Sequence, residues 1–84
     1  MMYLINYNLD HEHWKKYDFY FDSLWGAVFK ARAISIQHWA DVDVIDNTTG
    51  VVLVSFNRTG ECYIDEDLPD DIKKLAAYPL DKGE

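Results

Sequence analysis

The sequence predicts an α+β fold in the order β-α-β-β-β-α: an antiparallel four-stranded sheet packed against one long helix, with a short C-terminal helix. Two regions alternate between apolar and polar residues at the two-residue period of strands, and a stretch with the 3.6-residue period of a helix separates them. Turn sequences, NTTG and TG, divide the second region into strands. The chain has 84 residues, so we expect residues 1–84 to form one domain.

The first strand is predicted in YLINYNL, residues 3–9, where every second residue is apolar. The long helix is predicted from Asp22 to about His38, with Asp22 or Ser23 as its N-cap. The segment between them, residues 10–21, contains HEH and several aromatic residues, and we interpret it as an aromatic lead-in to the helix.

Two apolar arcs run along the predicted long helix. The inward stripe at helical spacing comprises Leu24, Ala27, Val28, Ala31 and Ser35, with Ile34 on its flank. Trp25, Phe29 and Ile36 form a second arc beside it. Because the two arcs together are wider than one small sheet covers, the second arc is expected either to meet a partner or to be buried by residues 10–21 of the same chain.

After Trp39 the period returns to two. ADVDVID and VVLVSFN flank the NTTG turn and predict a β-hairpin, and ECYID predicts a third strand of the meander. PDDIKKLAAY predicts the short C-terminal helix, with acids in its first turn. We expect this helix or a partner to cover the second sheet face. The residues assigned to the core are Tyr3, Ile5, Trp39 and Phe56.

Composition excludes several classes of protein. The net charge of -7 disfavours direct binding to nucleic acid, since phosphate contacts need clustered Lys and Arg. No apolar run approaches the length of a membrane span, and the first residues lack a basic secretion signal, so we expect a cytoplasmic protein without membrane contact. The single Cys62 has no partner for an internal disulfide and is expected to act as a small apolar residue.

No enzyme motif or phosphate-binding loop is present, and the serines lack the neighbouring base that a nucleophile needs. We therefore expect no enzyme and no cofactor. His11 and His13 flank Glu12, and in a strand both imidazoles point to one side, which is a geometry that metals accept. A closed zinc site needs four ligands, and His38 and Cys62 stand at unsuitable spacings, so the expectation is no metal and two surface histidines.

Aromatic and acidic residues remain as candidates for contact with a protein partner. Trp and Tyr dominate binding energy at interfaces, and carboxylates about a strand spacing apart can imitate phosphates in a basic nucleic-acid channel. The aromatic candidates are Trp14, Tyr17, Trp25 and Phe29. The acidic candidates are Asp41, Asp43, Asp65, Glu66, Asp67, Asp70 and Asp71.

In size, acidity and lack of catalytic motifs the chain resembles the small inhibitors that phages and mobile elements encode against host nucleases, including anti-CRISPR proteins. The resemblance implies a non-enzymatic nucleic-acid mimic that occupies a basic nucleic-acid-binding surface of a nuclease. Two alternatives remain: a homodimeric structural or regulatory protein that pairs through the second helix arc, and a metal- or small-ligand-binding module at His11 and His13.

Overall fold

Five antiparallel strands and two helices form the fold within residues 2–10, 12–59 and 61–77, the part of the chain that the structure, a computed structural model, describes. The elements in chain order are β1 (Tyr3–Asn8), β2 (Trp14–Lys16), α1 (Leu24–His38), β3 (Asp41–Asp46), β4 (Val52–Phe56), β5 (Cys62–Ile64) and α2 (Asp70–Ala77). The α+β class, the antiparallel sheet, the long helix and the short C-terminal helix are confirmed.

The prediction of four strands in the order β-α-β-β-β-α was wrong, because β2 adds a fifth strand before the long helix and the elements run β-β-α-β-β-β-α. In the sheet the strands lie in the order β2-β1-β3-β4-β5, with β2 at one edge. The three residues of β2 are all exposed and show no apolar alternation, so the sequence carries no local signal for a strand. The free edge of β1 supplies the pairing: Trp14 lies opposite Asn8, and the Tyr17 amide donates to the Ile5 carbonyl at 2.8 Å. Three residues of the lead-in segment, Trp14–Lys16, thus belong to the sheet.

One face of the sheet forms the core. Register places Ile5 opposite Val44 and Val44 opposite Val54, so these three buried side chains form a row across the central strands. Phe56 lies opposite Val42 in the next row. Side chains of the intervening positions point to the other face of the sheet.

Helix α1 packs small residues against this core face. Its N-cap is Ser23, whose Oγ accepts from the Gly26 amide at 3.2 Å. The predicted inward stripe faces the core: Ala27, Val28, Ala31, Ile34 and Ser35 are buried, and Leu24 is partly buried against the same cluster. The Ser35 hydroxyl is fully buried and donates to the Ala40 carbonyl at 3.1 Å, which satisfies its polar group in the turn towards β3.

Helix α2 packs on the same side of the sheet as α1. Its inward residues Ile72 and Ala76 belong to the core cluster with Val28 and Phe56, so the expectation that this helix covers the second sheet face was wrong. A small domain is built from two packed layers around one hydrophobic core, and both helices here belong to the same layer. Within the described residues, no helix lies over the opposite face, which we call the open face.

The assignment of Trp39 to the core was wrong. Trp39 is the C-cap of α1, its backbone has the left-handed φ of 53° and ψ of 46°, and its side chain is 58% exposed. The chain reverses here from α1 into β3, and the residue after a helix commonly takes this conformation to make the turn. Turn geometry therefore decided the position of this tryptophan.

The left-handed backbone at Trp39 predicts the order of stability of two variants. Both Trp39→Gly and Trp39→Ala remove the indole, but only glycine avoids the clash between Cβ and the carbonyl oxygen. We expect the glycine variant to be more stable than the alanine variant by about 1 kcal/mol. Urea unfolding of both variants measures the difference. Equal stabilities, or a more stable alanine variant, would contradict the strain at this position.

Candidate functional site

The predicted partner-binding residues lie in three separate places, with Tyr17 apart from them. An acidic corner runs from the end of β5 into the first turn of α2 and consists of Asp65, Glu66, Asp67, Asp70 and Asp71. Trp25 and Phe29 form an aromatic pair on α1. Trp14, Asp41 and Asp43 line a cleft on the open face. The structure does not bring all of these residues into one site.

The aromatic pair is a stacked and exposed surface. The rings of Trp25 and Phe29 lie 5.3 Å apart at 15° to each other, one helical turn apart on α1. Their side chains remain 47% and 52% exposed. In the described part of the lead-in, residues 10 and 12–21, β2 pairs with the edge of β1 and Phe21 bridges to Tyr3, which leaves about half of each of the two side chains exposed. The second helix arc is therefore open to solvent at its N-terminal end.

Hydrogen bonds of Asp65 and Asp67 fix the backbone of the acidic corner. The Asp65 amide donates to the Leu53 carbonyl at 3.0 Å at the end of β5, and the Asp65 carboxylate accepts from the Asp67 amide at 2.9 Å. Asp70 and Asp71 stand in the first turn of α2, where the helix dipole favours negative charge. In residues 2–10, 12–59 and 61–77, no carboxylate of the corner forms an ion pair with a Lys, Arg or His side chain. The corner therefore presents its charge to solvent.

The acidic corner and the aromatic pair lie at the same end of the sheet. The bridge between Tyr3 and Phe21 places the start of α1 beside Tyr3, which itself lies opposite Asp46 at the end of β3. Asp65 follows the last residue of β5 and hydrogen-bonds to Leu53, which lies near the start of β4. The NTTG turn that joins β3 to β4 is at this same end, next to Asp46. Since α1 and α2 are also in contact, both features belong to one end of the molecule.

The cleft on the open face spans two cross-strand rows. Trp14 and Asp41 both lie opposite Asn8, and Asp43 lies opposite Ser55. The cleft has a volume of about 280 Å³. Its lining residues are Trp14, Asp41, Asp43, Ser55, Phe56 and Asn57.

The two aspartates of the cleft have different electrostatic environments. Asp41 forms an ion pair with Arg58 at 3.0 Å, and the Arg58 guanidinium also donates to the Asn8 carbonyl at 3.3 Å. Asp43 accepts a hydrogen bond from the Ser55 hydroxyl at 2.7 Å. Burial raises the pKa of Asp43 above its ordinary value; the Ser55 hydrogen bond opposes that rise, and the charge of Asp41 adds to it. Asp43 is thus a half-buried carboxylate that is costly to ionise.

Tyr17 lies on the other flank of α1 from the aromatic pair. It stacks on Phe21 at 6.0 Å, and the Lys30 ammonium lies 5.6 Å from the centre of its ring. An apolar pocket of about 240 Å³ adjoins it. The residues that line this pocket are Tyr7, Leu9, Tyr17, Ile34 and His38. Tyr17 therefore secures the lead-in against α1 and the sheet edge.

The histidine segment forms a hydrogen-bonded loop. The Asp10 carboxylate accepts from the amides of Glu12 and His13 at 2.9 Å, and its second oxygen lies 3.2 Å from His13 Nδ1. The amide hydrogen bonds, led by that from His13, hold the pKa of Asp10 well below its usual range. His11 lies outside the described residues. Among those that are described, no group of three or more His, Cys, Asp or Glu side chains could hold a metal ion.

Cys62 and Tyr63 occupy opposite faces of β5. The Cys62 thiol donates to the Ala76 carbonyl at 3.6 Å, and burial raises its pKa, which keeps it in the thiol form. Tyr63 lies opposite Ser55 and is 58% exposed on the open face. Tyr63 was not among the predicted contact residues, although its outward position follows from alternation in ECYID.

Comparisons of this chain with protein-family models, with curated proteins and with solved structures found no match. Over the stretches of chain that the structure describes, no helix is long and apolar enough to cross a bilayer.

The environment of Asp43 predicts how stability depends on pH. Because its pKa is raised in the folded state, its ionised form lowers stability above that folded pKa, and protonation removes the cost as the pH falls. Asp43→Asn keeps an acceptor for the Ser55 hydroxyl without the charge. We expect this variant to be more stable than the wild type at pH 7, with the difference disappearing below the ordinary value of 3.8.

Urea unfolding at both pH values measures this effect. Ser55→Ala is the matched control, because it leaves the carboxylate charged without its donor and should lower stability at pH 7 by about 1 kcal/mol. A loss of stability in Asp43→Asn at pH 7 would show that ionised Asp43 stabilises the fold.

Proposed function

We propose that this chain is a non-enzymatic protein-binding module that captures a partner with a basic surface. One observation carries the proposal: the aromatic pair and the acidic corner are both exposed at the same end of the sheet. One face of a partner can therefore meet an apolar anchor and a group of carboxylates together. The module acts by binding to its partner and occupying the partner's surface.

The aromatic pair supplies the anchor. Trp is among the residues that contribute most binding energy at protein interfaces, and Phe adds apolar area beside it. Because Trp25 and Phe29 already stack on each other on a helix, little side-chain freedom is lost when a partner covers them. A partner residue that is apolar or carries a flat cation suits this surface.

The acidic corner supplies the charge. Five carboxylates lie within residues 65–71, and the nearest lysines in sequence are Lys73 and Lys74. Together with the net charge of -7, this group attracts a basic partner over a distance of about one Debye length, roughly 8–10 Å at ordinary ionic strength. Association is then fast and sensitive to salt.

The most specific form of the proposal is that the partner is a nucleic-acid-binding protein. Carboxylates spaced along a turn and the first turn of a helix can occupy positions that phosphates take in a basic channel. A module of this kind blocks the channel without chemistry, as expected for an inhibitor of the nuclease-inhibitor or anti-CRISPR type encoded by a phage or mobile element.

Self-association is the second candidate, and the same exposed arc favours it. Two copies that pair through Trp25 and Phe29 would bury both stacks in a symmetric interface. Light scattering after size-exclusion chromatography separates the two candidates. A monomer supports capture of another protein, and a dimer that Trp25→Ala dissociates supports self-association.

The acidic corner predicts a charge-dependent capture. We expect Glu66→Lys with Asp67→Lys to abolish binding to a basic partner that wild-type protein captures from a lysate of the source cells and that binds nucleic acid. Glu12→Lys with Asp18→Lys makes the same change in net charge at exposed positions elsewhere. Calorimetry with the purified partner measures both affinities. Equal loss in the two variants would mean that only net charge matters, and unchanged binding in both would end the electrostatic mechanism.

We expect the aromatic pair to contribute to the affinity for the same basic partner, and this contribution should not depend on salt. Trp25→Ala should weaken binding by about thirtyfold, which corresponds to roughly 2 kcal/mol at an interface anchor. Phe19→Ala removes another exposed aromatic ring on the lead-in segment and should change the affinity little. An effect of Trp25→Ala no larger than that of Phe19→Ala would remove the pair from the interface.

A further inference from the structure

The open face carries a cleft that neither helix covers and that the proposed function has not used. The Trp14 indole forms one side, on edge strand β2, and is 50% exposed. The hydroxyl of Ser55 and the carboxylate of Asp43 form the other side, joined by a hydrogen bond of 2.7 Å. Asn8 lies between Trp14 and Asp41 in the cross-strand row and is buried. The cleft is thus a trough between an aromatic wall and a carboxylate.

Within the described residues, Asp43 has no cationic side chain at ion-pair distance. Arg58 is engaged with Asp41 and the Asn8 carbonyl. Lys16 stands on the same face, separated from Asp43 by Asn6 in the cross-strand row, and it forms no ion pair with any described carboxylate. The hydroxyl of Ser55 compensates the half-buried charge only in part.

The chemistry of the trough selects a flat cation. A guanidinium group stacks on an indole face and donates two parallel hydrogen bonds to a carboxylate, and it loses hydration more readily than an ammonium group does. A volume of about 280 Å³ holds such a group with part of its aliphatic chain. A neutral apolar side chain leaves Asp43 desolvated without compensation.

We infer that this cleft binds an arginine side chain of a protein partner, with the guanidinium stacked on Trp14 and bonded to Asp43. The inference rests on the proposed function for the source of the arginine, which is the partner's basic surface. It adds a second recognition point on a face different from the end that carries the acidic corner and the aromatic pair.

Nuclear magnetic resonance with a small probe tests the cleft without any partner. Nα-acetyl-arginine methylamide is titrated into ¹⁵N-labelled protein at low salt, and the citrulline analogue, which has the same shape without the charge, serves as control. The sequence has three tryptophans, so the Trp14 indole signal can be assigned separately. We expect saturable shifts at the Trp14 indole and the Ser55 amide with the arginine probe, and none with citrulline.

Two variants locate the binding. Asp43→Asn, which retains the Ser55 hydrogen bond, should weaken arginine binding by about fivefold, and Trp14→Ala should weaken it by a similar factor. The variant Glu66→Lys with Asp67→Lys should bind the probe as the wild type does. An absence of saturable shifts at Trp14, an equal response to citrulline, or unchanged binding in Asp43→Asn would overturn the inference.

Failure here is distinguishable from failure of the proposed function. If the cleft does not take arginine, partner capture that depends on Glu66 and Asp67 is unaffected, and the cleft inference alone is lost. If the probe binds but charge reversal at the corner leaves capture unchanged, the cleft is retained and the electrostatic capture mechanism is lost.

Discussion

The small residues of α1 pack closely on the core face of the sheet, and this packing determines how the other elements are arranged. Ala27, Val28 and Ala31 allow the helix to lie close to the row that contains Ile5 and Val44, and all of these side chains are buried. A chain of 84 residues can build only one such layer, since small domains bury a limited fraction of their surface. Helix α2 joins the same layer through Ile72 and Ala76 instead of starting a second one.

A single apolar layer leaves two surfaces without an internal partner. The outer arc of α1 keeps its stacked Trp25 and Phe29, and the open face keeps Trp14, Asp43 and Tyr63. Large aromatic residues on the surface of a small soluble domain are costly to expose, and contiguous exposed apolar surface commonly marks a partner site. The acidic corner lies at the same end of the sheet as the aromatic pair. The proposed function and the proposed arginine site both use surfaces that this one-sided core leaves exposed.

Local patterns in the sequence predicted those elements that form through interactions between residues close together in the chain. The cap at Ser23, the inward stripe of α1 and the hairpin around the NTTG turn follow from periodicity and from short-range hydrogen bonding, and the structure confirms them. Strand β2 could not be predicted in this way, because Trp14–Lys16 becomes a strand only through the free edge of β1. The exposure of Trp39 followed from backbone geometry at the end of α1, which overrode its apolar side chain.

In the candidate site, too, the individual residues could be predicted from local patterns, but their relative positions could not. The aromatic pair followed from helical spacing, and the acidic corner followed from composition. Their location at one end of the sheet required the bridge of Phe21 to Tyr3 and the hydrogen bond of Asp65 to Leu53, which join residues far apart in the chain. The cleft depends on the register of four strands, so Trp14 and Asp43 could be proposed separately but not as parts of one trough.

Hydroxyl-radical footprinting of the protein, alone and in complex with a captured basic partner, shows whether the aromatic pair and the acidic corner meet the same partner. In the free protein, Trp25 and Phe29 should oxidise readily, since about half of each side chain is exposed. In the complex, both should be protected together with residues 66–71. Protection confined to other surfaces, or oxidation of Trp25 and Phe29 that is equally fast in the complex, would contradict the account.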